Sequence, residues 1–188
     1  MALIDDLKLS CPTHKFVDDT TITEILAASQ PSLMQSYFQQ LVDWTLTNSM
    51  QINENKTKEM VITTSHAVSI PPFPSIGRVS SFKILGVIVS NNLKWTEHVL
   101  YISAKANSRL HFLKQLKRDG LSNDDILHFY LAVIRPVLEY AAPVWHSSLT
   151  NELSDQLESL QKRALRIIFG YSRVTDISYN NFCAELQV

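Results

Sequence analysis

Apolar residues recur every three or four positions over much of the second half of the chain, which is the spacing of one face of an α-helix. Two stretches show this spacing most clearly. Their apolar positions are Val99, Ile102, Ala106, Leu110 and Leu113 in one, and Leu153, Leu157, Leu160, Ala164 and Ile168 in the other. Gly170 follows the second stretch, where glycine often ends a helix. We therefore predict a helix over each stretch.

A further helix is predicted between these two. Ser122 and Asp125 have the spacing of a capping box, in which side chains bond the free backbone N–H groups of a helix start. Pro136 should kink this helix because proline lacks a backbone N–H. Residues 97–175 are thus predicted to form a three-helix domain, and residues 176–188 a tail.

The first half of the chain begins with a pattern that favours strands. Aromatic and β-branched residues between positions 14 and 23 flank Asp18 and Asp19. Because aspartate tolerates turn geometry, this predicts a hairpin with the two carboxylates at its tip. The segment Ser29-Gln30-Pro31 then resembles a helix start. The apolar face of that helix, predicted to end near Asn48, is Leu33, Tyr37, Leu41 and Trp44.

Two later strands complete the predicted N-terminal domain. They lie at 60–64 and 82–89, and Gly86 interrupts the second. The prolines of residues 65–80 predict a loop between them. Residues 1–96 should therefore combine a hairpin, a helix and antiparallel strands, which makes the whole chain α+β.

The positive charge is concentrated in the predicted helical region. Residues 1–93 carry six lysines and arginines against eight acids, whereas residues 94–118 carry six against one, although the whole chain has a net charge of -1. The six cations are Lys94, Lys105, Arg109, Lys114, Lys117 and Arg118. Such a basic stretch is typical of a nucleic-acid-binding surface. It is also typical of an ordinary solvated helix face, and the charge pattern alone leaves both interpretations open.

Composition excludes several other classes of protein. With only four glycines, the chain has no glycine-rich phosphate loop. The widely spaced Cys11 and Cys183 imply no disulfide framework. No apolar run reaches the roughly 20 residues of a membrane span, and the acidic N-terminus does not resemble a signal peptide. We therefore expect an intracellular protein without a membrane partner.

The aspartate pair is the sharpest chemical signal in the sequence. Asp18 and Asp19 are adjacent carboxylates, and hard oxygen ligands of this kind suit Mg²⁺. Two such ions can activate an attacking hydroxyl and stabilise a leaving phosphate. Without further context, an aspartate pair is more often an exposed turn.

The order of several short motifs resembles the reverse transcriptases of non-LTR (LINE-type) retrotransposons. The chain has an aromatic-x-Asp-Asp segment, an Asn-x-x-Lys-Thr segment and a Leu-Gly-Val segment, in the order of that family's palm. The matching positions are Phe16, Asp18 and Asp19, then Asn53, Lys56 and Thr57, and then Leu85, Gly86 and Val87. The segments 134–140 and 160–166 resemble the helical thumb, so the likeness extends from about residue 3 to 170.

This resemblance implies a fold, a reaction and partners. Residues 1–96 would be part of a polymerase palm and residues 97–175 the thumb of an RNA-directed DNA polymerase, which adds nucleotides to a DNA primer on an RNA template. Asp18 and Asp19 would be catalytic Mg²⁺ ligands, Lys56 would lie near the incoming triphosphate, and 85–87 would form the primer grip. Lys105, Arg109, Lys114 and Lys117 would contact the backbone of an RNA–DNA hybrid. A nuclear location follows only by analogy with the family.

One departure from the family limits the expected activity. Family members have a further metal-binding aspartate and a template-gripping motif before the Asp-Asp hairpin, and Asp5 and Asp6 lack that pattern. Because two-metal catalysis needs carboxylates from both sides of the ions, we expect this chain to be inactive alone. The alternative interpretation is a non-catalytic nucleic-acid-binding module or a decayed retrotransposon relic.

Overall fold

The computed structural model describes residues 4, 6–27, 30–63 and 70–170 of the chain. These residues divide into two compact units, Met1–Phe82 and Lys83–Val188, which we call the N-terminal unit and the helical unit. The mixture of helices and small sheets confirms the α+β class. The predicted tail, Ser29 and Cys183 lie outside the described residues.

The N-terminal unit contains the predicted hairpin. Strand β1 is Thr13–Phe16 and strand β2 is Asp19–Ile22, and they pair antiparallel with Phe16 opposite Asp19. Val17 and Asp18 form the turn between them. The hairpin is confirmed, with Asp18 in the turn and Asp19 as the first residue of β2.

Helix α1 is Met34–Thr47, and its C-cap is Asn48 as expected. The predicted start near Ser29 is too early. The side chain that accepts hydrogen bonds at the N-terminus of this helix is Glu24, which precedes the predicted start. Both oxygens of the Glu24 carboxylate accept hydrogen bonds there, from the Ser32 hydroxyl at 2.6 Å and from the Leu33 N–H at 2.7 Å. A carboxylate at this end of a helix is stabilised by the free N–H groups.

The predicted strand at 60–64 is wrong where the structure describes it. The strand lies two residues earlier: β3 is Lys58–Glu59, and it pairs parallel with β4, Gly77–Arg78. Parallel pairing needs a long connection, which residues 60–76 supply. The Arg78 guanidinium holds this pair together through the Glu59 carboxylate, with Nε to Oε2 at 2.8 Å. The expectation of antiparallel strands therefore fails here.

A second hairpin replaces the single strand predicted at 82–89. Strand β5 is Ser81–Ile84 and strand β6 is Val87–Ser90, so the division between the units falls inside β5. Leu85 and Gly86 both have positive φ, 46° and 90°. Two such residues form the tight turn whose twist matches a hairpin.

The helical unit confirms the apolar stripes read from the sequence. Helix α2 is Thr96–Arg118 and helix α6 is Asn151–Phe169, which ends at Gly170. Buried residues of α2 from Ala106 onwards pack in one core with those of α6 and of the segment between the two helices. Five α2 residues of the predicted stripe are at most 4% exposed: Val99, Ile102, Ala106, Leu110 and Leu113.

The middle helix is broken where proline was expected to disturb it. Ser122 caps helix α3, Asn123–Phe129, by accepting from the Asp125 N–H. A π-helical segment, Tyr130–Ile134, follows, and then helix α4, Arg135–Glu139. Pro136 cannot donate to the carbonyl four residues earlier, and the wider π turn accommodates that loss. Helix α5, Ala142–Trp145, and a 3₁₀ turn, His146–Ser148, lead to α6.

The boundary between the units lies earlier than the sequence-based boundary at 96/97. Val87 of β6 is buried against Ile102 of α2 and Trp145 of α5. The second hairpin therefore contributes apolar surface to the helical unit. Among the described residues, none of the helices combines the length and apolar character needed to cross a bilayer.

Candidate functional site

The aspartate hairpin presents its carboxylates to solvent. Asp18 and Asp19 are both exposed, as are the neighbouring Phe16 and Val17, which are 58% and 71% exposed. Two carboxylates in adjacent positions supply some of the oxygen ligands that Mg²⁺ takes. Within the described ranges, no group of three or more His, Cys, Asp or Glu side chains is placed to hold a metal ion.

The turn of this hairpin has an unusual backbone. Val17 has φ 57°, although a β-branched residue strongly disfavours the left-handed region. An observed outlier of this kind is typical of positions whose geometry serves a function. Val17 directly precedes Asp18 in this turn, so its backbone conformation sets the direction of the chain at Asp18.

The Asn-x-x-Lys-Thr segment forms a turn organised by its asparagine. The Asn53 carbonyl accepts from the Lys56 N–H at 3.1 Å, the Thr57 N–H at 2.9 Å and the Thr57 hydroxyl at 2.9 Å. The Asn53 side-chain oxygen also accepts from the Lys56 N–H, at 3.2 Å. These bonds use the side chains of both Asn53 and Thr57, and they fix the backbone at Lys56.

Lys56 itself is exposed on this turn. In the described part of the chain, no hydrogen bond or ion pair joins it to Asp18 or Asp19. A lysine held on a rigid turn with a free ammonium group is suited to contact a phosphate. Its role near a triphosphate remains a prediction from the motif.

The Leu-Gly-Val segment is the turn of the second hairpin. The Tyr140 hydroxyl donates to the Leu85 carbonyl at 2.9 Å, and the Tyr140 ring covers Gly86 so closely that a Cβ there would lie 3.0 Å from Cε1. Val87 begins β6 and is buried. These contacts give the three residues a structural role in joining the hairpin to the helical unit, while a primer-grip role stays a prediction.

The four cations predicted to contact nucleic acid lie on α2 in different surroundings. Lys105 and Lys114 are exposed. Arg109 donates through Nη1 to the Val133 carbonyl, in the π-helical segment. Lys117 donates to Asn123 Oδ1 at 2.6 Å and to the Ile168 carbonyl, near the end of α6, at 2.9 Å. Lys105 and Lys114 are therefore better placed for an external partner than Lys117.

The sequence interpretation missed a cluster around Tyr101. The Lys83 ammonium donates to the Tyr101 hydroxyl at 2.7 Å, and the Lys83 and Lys105 Nζ atoms lie 4.8 and 4.7 Å from the centre of its ring. The i, i+4 spacing of Tyr101 and Lys105 on α2 was a local signal for half of this cluster. Lys83 joins it only because the second hairpin folds back, which no local pattern indicates.

The electrostatic effect of this cluster is visible on the phenol. The ammonium groups of Lys105 and Lys83 lower the pKa of Tyr101 below its ordinary value, because both favour the charged phenolate. The same potential would favour any other anion placed beside the ring. The region around Tyr101 is thus a positively charged part of the helical unit.

Comparison with protein-family models, with curated proteins and with solved structures gives no match for this chain.

Proposed function

We propose that the chain is part of an RNA-directed DNA polymerase of the non-LTR retrotransposon type. Its reaction in the intact enzyme would be template-directed nucleotidyl transfer on an RNA template and a DNA primer. Asp18 and Asp19 would bind Mg²⁺, and Lys56 would approach the triphosphate. The chain by itself is expected to be inactive, since its hairpin supplies carboxylates to only one side of a two-metal centre.

The observation that carries this proposal is the aspartate hairpin. The Phe-x-Asp-Asp segment folds as two paired strands with Asp18 in the turn, Asp19 beside it and both carboxylates exposed. The left-handed Val17 is additional support, because strained backbone of this kind is common at positions that serve a function. The Asn53 turn, later in the same unit, supports the order of motifs.

The helical unit would contact the template–primer duplex. Lys105 and Lys114 are exposed cations on one long helix, and phosphate contacts of this kind position a duplex without reading its sequence. This feature alone equally supports the second candidate, a non-catalytic nucleic-acid-binding module. The two candidates differ in whether the Asp18–Asp19 hairpin binds a divalent cation.

Paramagnetic Mn²⁺ in place of Mg²⁺ tests the metal-binding part of the proposal. Substoichiometric Mn²⁺ added to ¹⁵N-labelled protein should broaden the amide resonances of residues 16–20 more than any others, because broadening falls steeply with distance from the ion. The double change Asp18→Asn, Asp19→Asn should remove this selectivity. Asp43→Asn, which removes an exposed carboxylate from α1, should leave it intact.

The reverse result has a clear meaning. Broadening that is spread equally over surface carboxylates, or that persists in the double variant, would remove the polymerase proposal and leave the non-catalytic module. Neither result depends on the helical unit.

A further inference from the structure

The helical unit contains a cavity of about 280 Å³ beside α2, next to the π-helical segment. Of the residues that the structure describes, three with cationic side chains line it, Lys83, Lys105 and Arg109, and none with a carboxylate does. Its other walls are apolar or aromatic, with Val137 and Tyr140 among them. A cavity that combines one cationic side with one apolar side fits an anion joined to a flat or apolar group.

The arrangement of donors favours a phosphoryl group. Because the Tyr101 oxygen accepts from Lys83, its own proton remains available to a ligand. Arg109 uses Nη1 for the Val133 carbonyl, which leaves further N–H donors on its guanidinium. Two ammonium groups, a phenol and a guanidinium thus line one cavity, and phosphate oxygens accept from all of them.

The charge of the cavity distinguishes between kinds of phosphate. Two lysines lie within 5 Å of the centre of one ring without a carboxylate among the lining residues, so their mutual repulsion is not balanced inside the cavity. A dianion relieves this repulsion more than a monoanion does. The same two lysines lower the pKa of Tyr101, as expected where the potential stabilises negative charge. A phosphate monoester, unlike an internal backbone diester, carries close to two charges near neutral pH.

We propose that this cavity is a binding site for a phosphate monoester of the nucleotide type, with the phosphate on Lys83, Lys105 and Tyr101 and the nucleoside against Tyr140. The phosphate comes either from a free nucleotide or from the 5′ end of a nucleic-acid strand. The site goes beyond the proposed function, since it needs neither Asp18 nor Asp19. It recognises a terminal phosphate monoester, whereas a helix that binds a duplex contacts the internal phosphates of the backbone.

Titration of ¹⁵N-labelled full-length protein with AMP, adenosine and inorganic phosphate tests the site. AMP should shift the amide resonances around Gly86, Tyr101 and Val133 in a saturable way. Inorganic phosphate should shift the same resonances more weakly, and adenosine should leave them unchanged. Lys83→Met and Lys105→Met should each weaken AMP binding about tenfold, which is the loss of one charge-assisted hydrogen bond.

Lys94→Met is the matched control, because Lys94 is an exposed lysine of the same unit that does not line the cavity. It should leave AMP binding unchanged. Short dT oligonucleotides with a 5′-phosphate or a 5′-hydroxyl then identify the source. Tighter binding of the 5′-phosphorylated strand than of AMP supports a strand terminus, and the reverse order supports a free nucleotide.

Three results would overturn the proposal. Adenosine that shifts the same resonances as strongly as AMP would show that the phosphate is not recognised. Equal binding of the two oligonucleotides would show that a monoester is not required. An equal loss of AMP binding in Lys83→Met and Lys94→Met would reduce the effect to general positive charge. None of these outcomes bears on Mn²⁺ at the hairpin.

Discussion

Gly86 is the residue at which backbone conformation and packing both exclude a side chain. Its φ of 90° lies in a region that L-residues rarely adopt, and a Cβ would lie 3.0 Å from the Tyr140 ring. The ring has little freedom to withdraw, because its hydroxyl donates to the neighbouring Leu85 carbonyl. Gly120 has a similar φ of 83° but no atom within 4 Å of its Cβ position.

Gly86→Ala should therefore destabilise the helical unit more than Gly120→Ala does. Both variants lose about 1–2 kcal/mol from a Cβ at positive φ. Gly86→Ala should lose about 1–3 kcal/mol more through the crowded Tyr140 ring. Urea denaturation followed by the helical circular dichroism signal measures both. Equal losses would show that the Tyr140 contact does not constrain the turn.

His98 is a fully buried titratable residue of α2. Its Nδ1 accepts from the Ile88 N–H at 3.3 Å, so the neutral ring carries its proton on Nε2. The ring lies against Trp145 at a centroid distance of 5.3 Å. Burial lowers the pKa of His98 below 6.5, because this apolar surrounding disfavours the imidazolium.

This lowered pKa makes the stability depend on pH in one direction. The unfolded chain takes up a proton at this residue as pH falls through about 6.5, while the folded chain does so only at lower pH. The contribution of neutral His98 to the free energy of unfolding is therefore fully present above pH 6.5. It decreases as the pH falls below 6.5, by at most about 1.4 kcal/mol per pH unit.

An NMR titration of the histidine ring resonances measures this directly. The His98 signal should shift with a midpoint below pH 6.5. Unfolding free energies at pH 7.5 and 5.5 should differ less in His98→Gln than in the wild type, and His111→Gln, at an exposed position of the same helix, should keep the wild-type difference. A His98 ring that titrates at or above 6.5 would contradict the account.

At the scale of elements, the π-helical segment is the least regular part of the helical unit. Pro136 removes one backbone donor, and the Arg109 guanidinium of α2 supplies a donor to the Val133 carbonyl in the same segment. Arg109, which the sequence predicts to contact nucleic acid, thus also stabilises the π-helical break between α3 and α4. Lys105, one turn earlier on α2, has no comparable backbone acceptor among the described contacts.

Arg109→Met should therefore destabilise the protein more than Lys105→Met. The expected difference is about 1–3 kcal/mol, because only the first variant leaves a partly buried carbonyl without its donor. Chemical denaturation of the two variants side by side provides the comparison. If Lys105→Met proved equally destabilising, the Arg109 bond would have no special role in supporting the π turn.

The elements also show which features a sequence can predict. The helices α2 and α6 were predictable because their apolar stripes are local and each stripe meets the core. The start of α1 was not, because Glu24 accepts from the Leu33 N–H there from nine residues away. The second hairpin was read as one strand, since Leu85-Gly86 lacks the Asn-Gly or Asp-Gly signature of a two-residue turn.

The candidate sites divide in the same way. The aspartate hairpin and the Asn53 turn were visible because each is made within one short segment. The cavity around Tyr101 was invisible, because it needs Lys83 from a hairpin, Lys105 and Arg109 from α2 and the wall of a proline-broken helix. The convergence of these charges follows from tertiary packing, which no periodic pattern records.

At the scale of the whole molecule, the two units separate two kinds of chemistry. The N-terminal unit carries the adjacent carboxylates of Asp18 and Asp19, and the helical unit carries the exposed lysines of α2. An acidic hairpin suits metal ions, whereas a basic helix suits phosphates. Each unit can therefore be tested without assuming the function of the other.

The central claim that both candidate functions share is that the helical unit binds a nucleic-acid duplex, and the salt dependence of that binding tests it most directly. Fluorescence anisotropy of a labelled RNA–DNA hybrid should show weak binding that ignores sequence. Each engaged cation contributes a slope of about -0.9 in a plot of log affinity against log salt on B-DNA, so three cations give a slope near -3.

The deciding comparison is Lys105→Ala with Lys114→Ala, two exposed lysines whose removal leaves the Arg109 bond in place. The matched control is Lys8→Ala with Lys58→Ala, which removes the same charge from exposed positions of the N-terminal unit. We expect the double change at Lys105 and Lys114 to reduce the magnitude of the slope by about 2, from near -3 to near -1. The control double variant should keep the wild-type slope. Both double variants should keep the helical circular dichroism signal of the wild type. No binding at low salt, or the same slope in both double variants, would contradict the central claim.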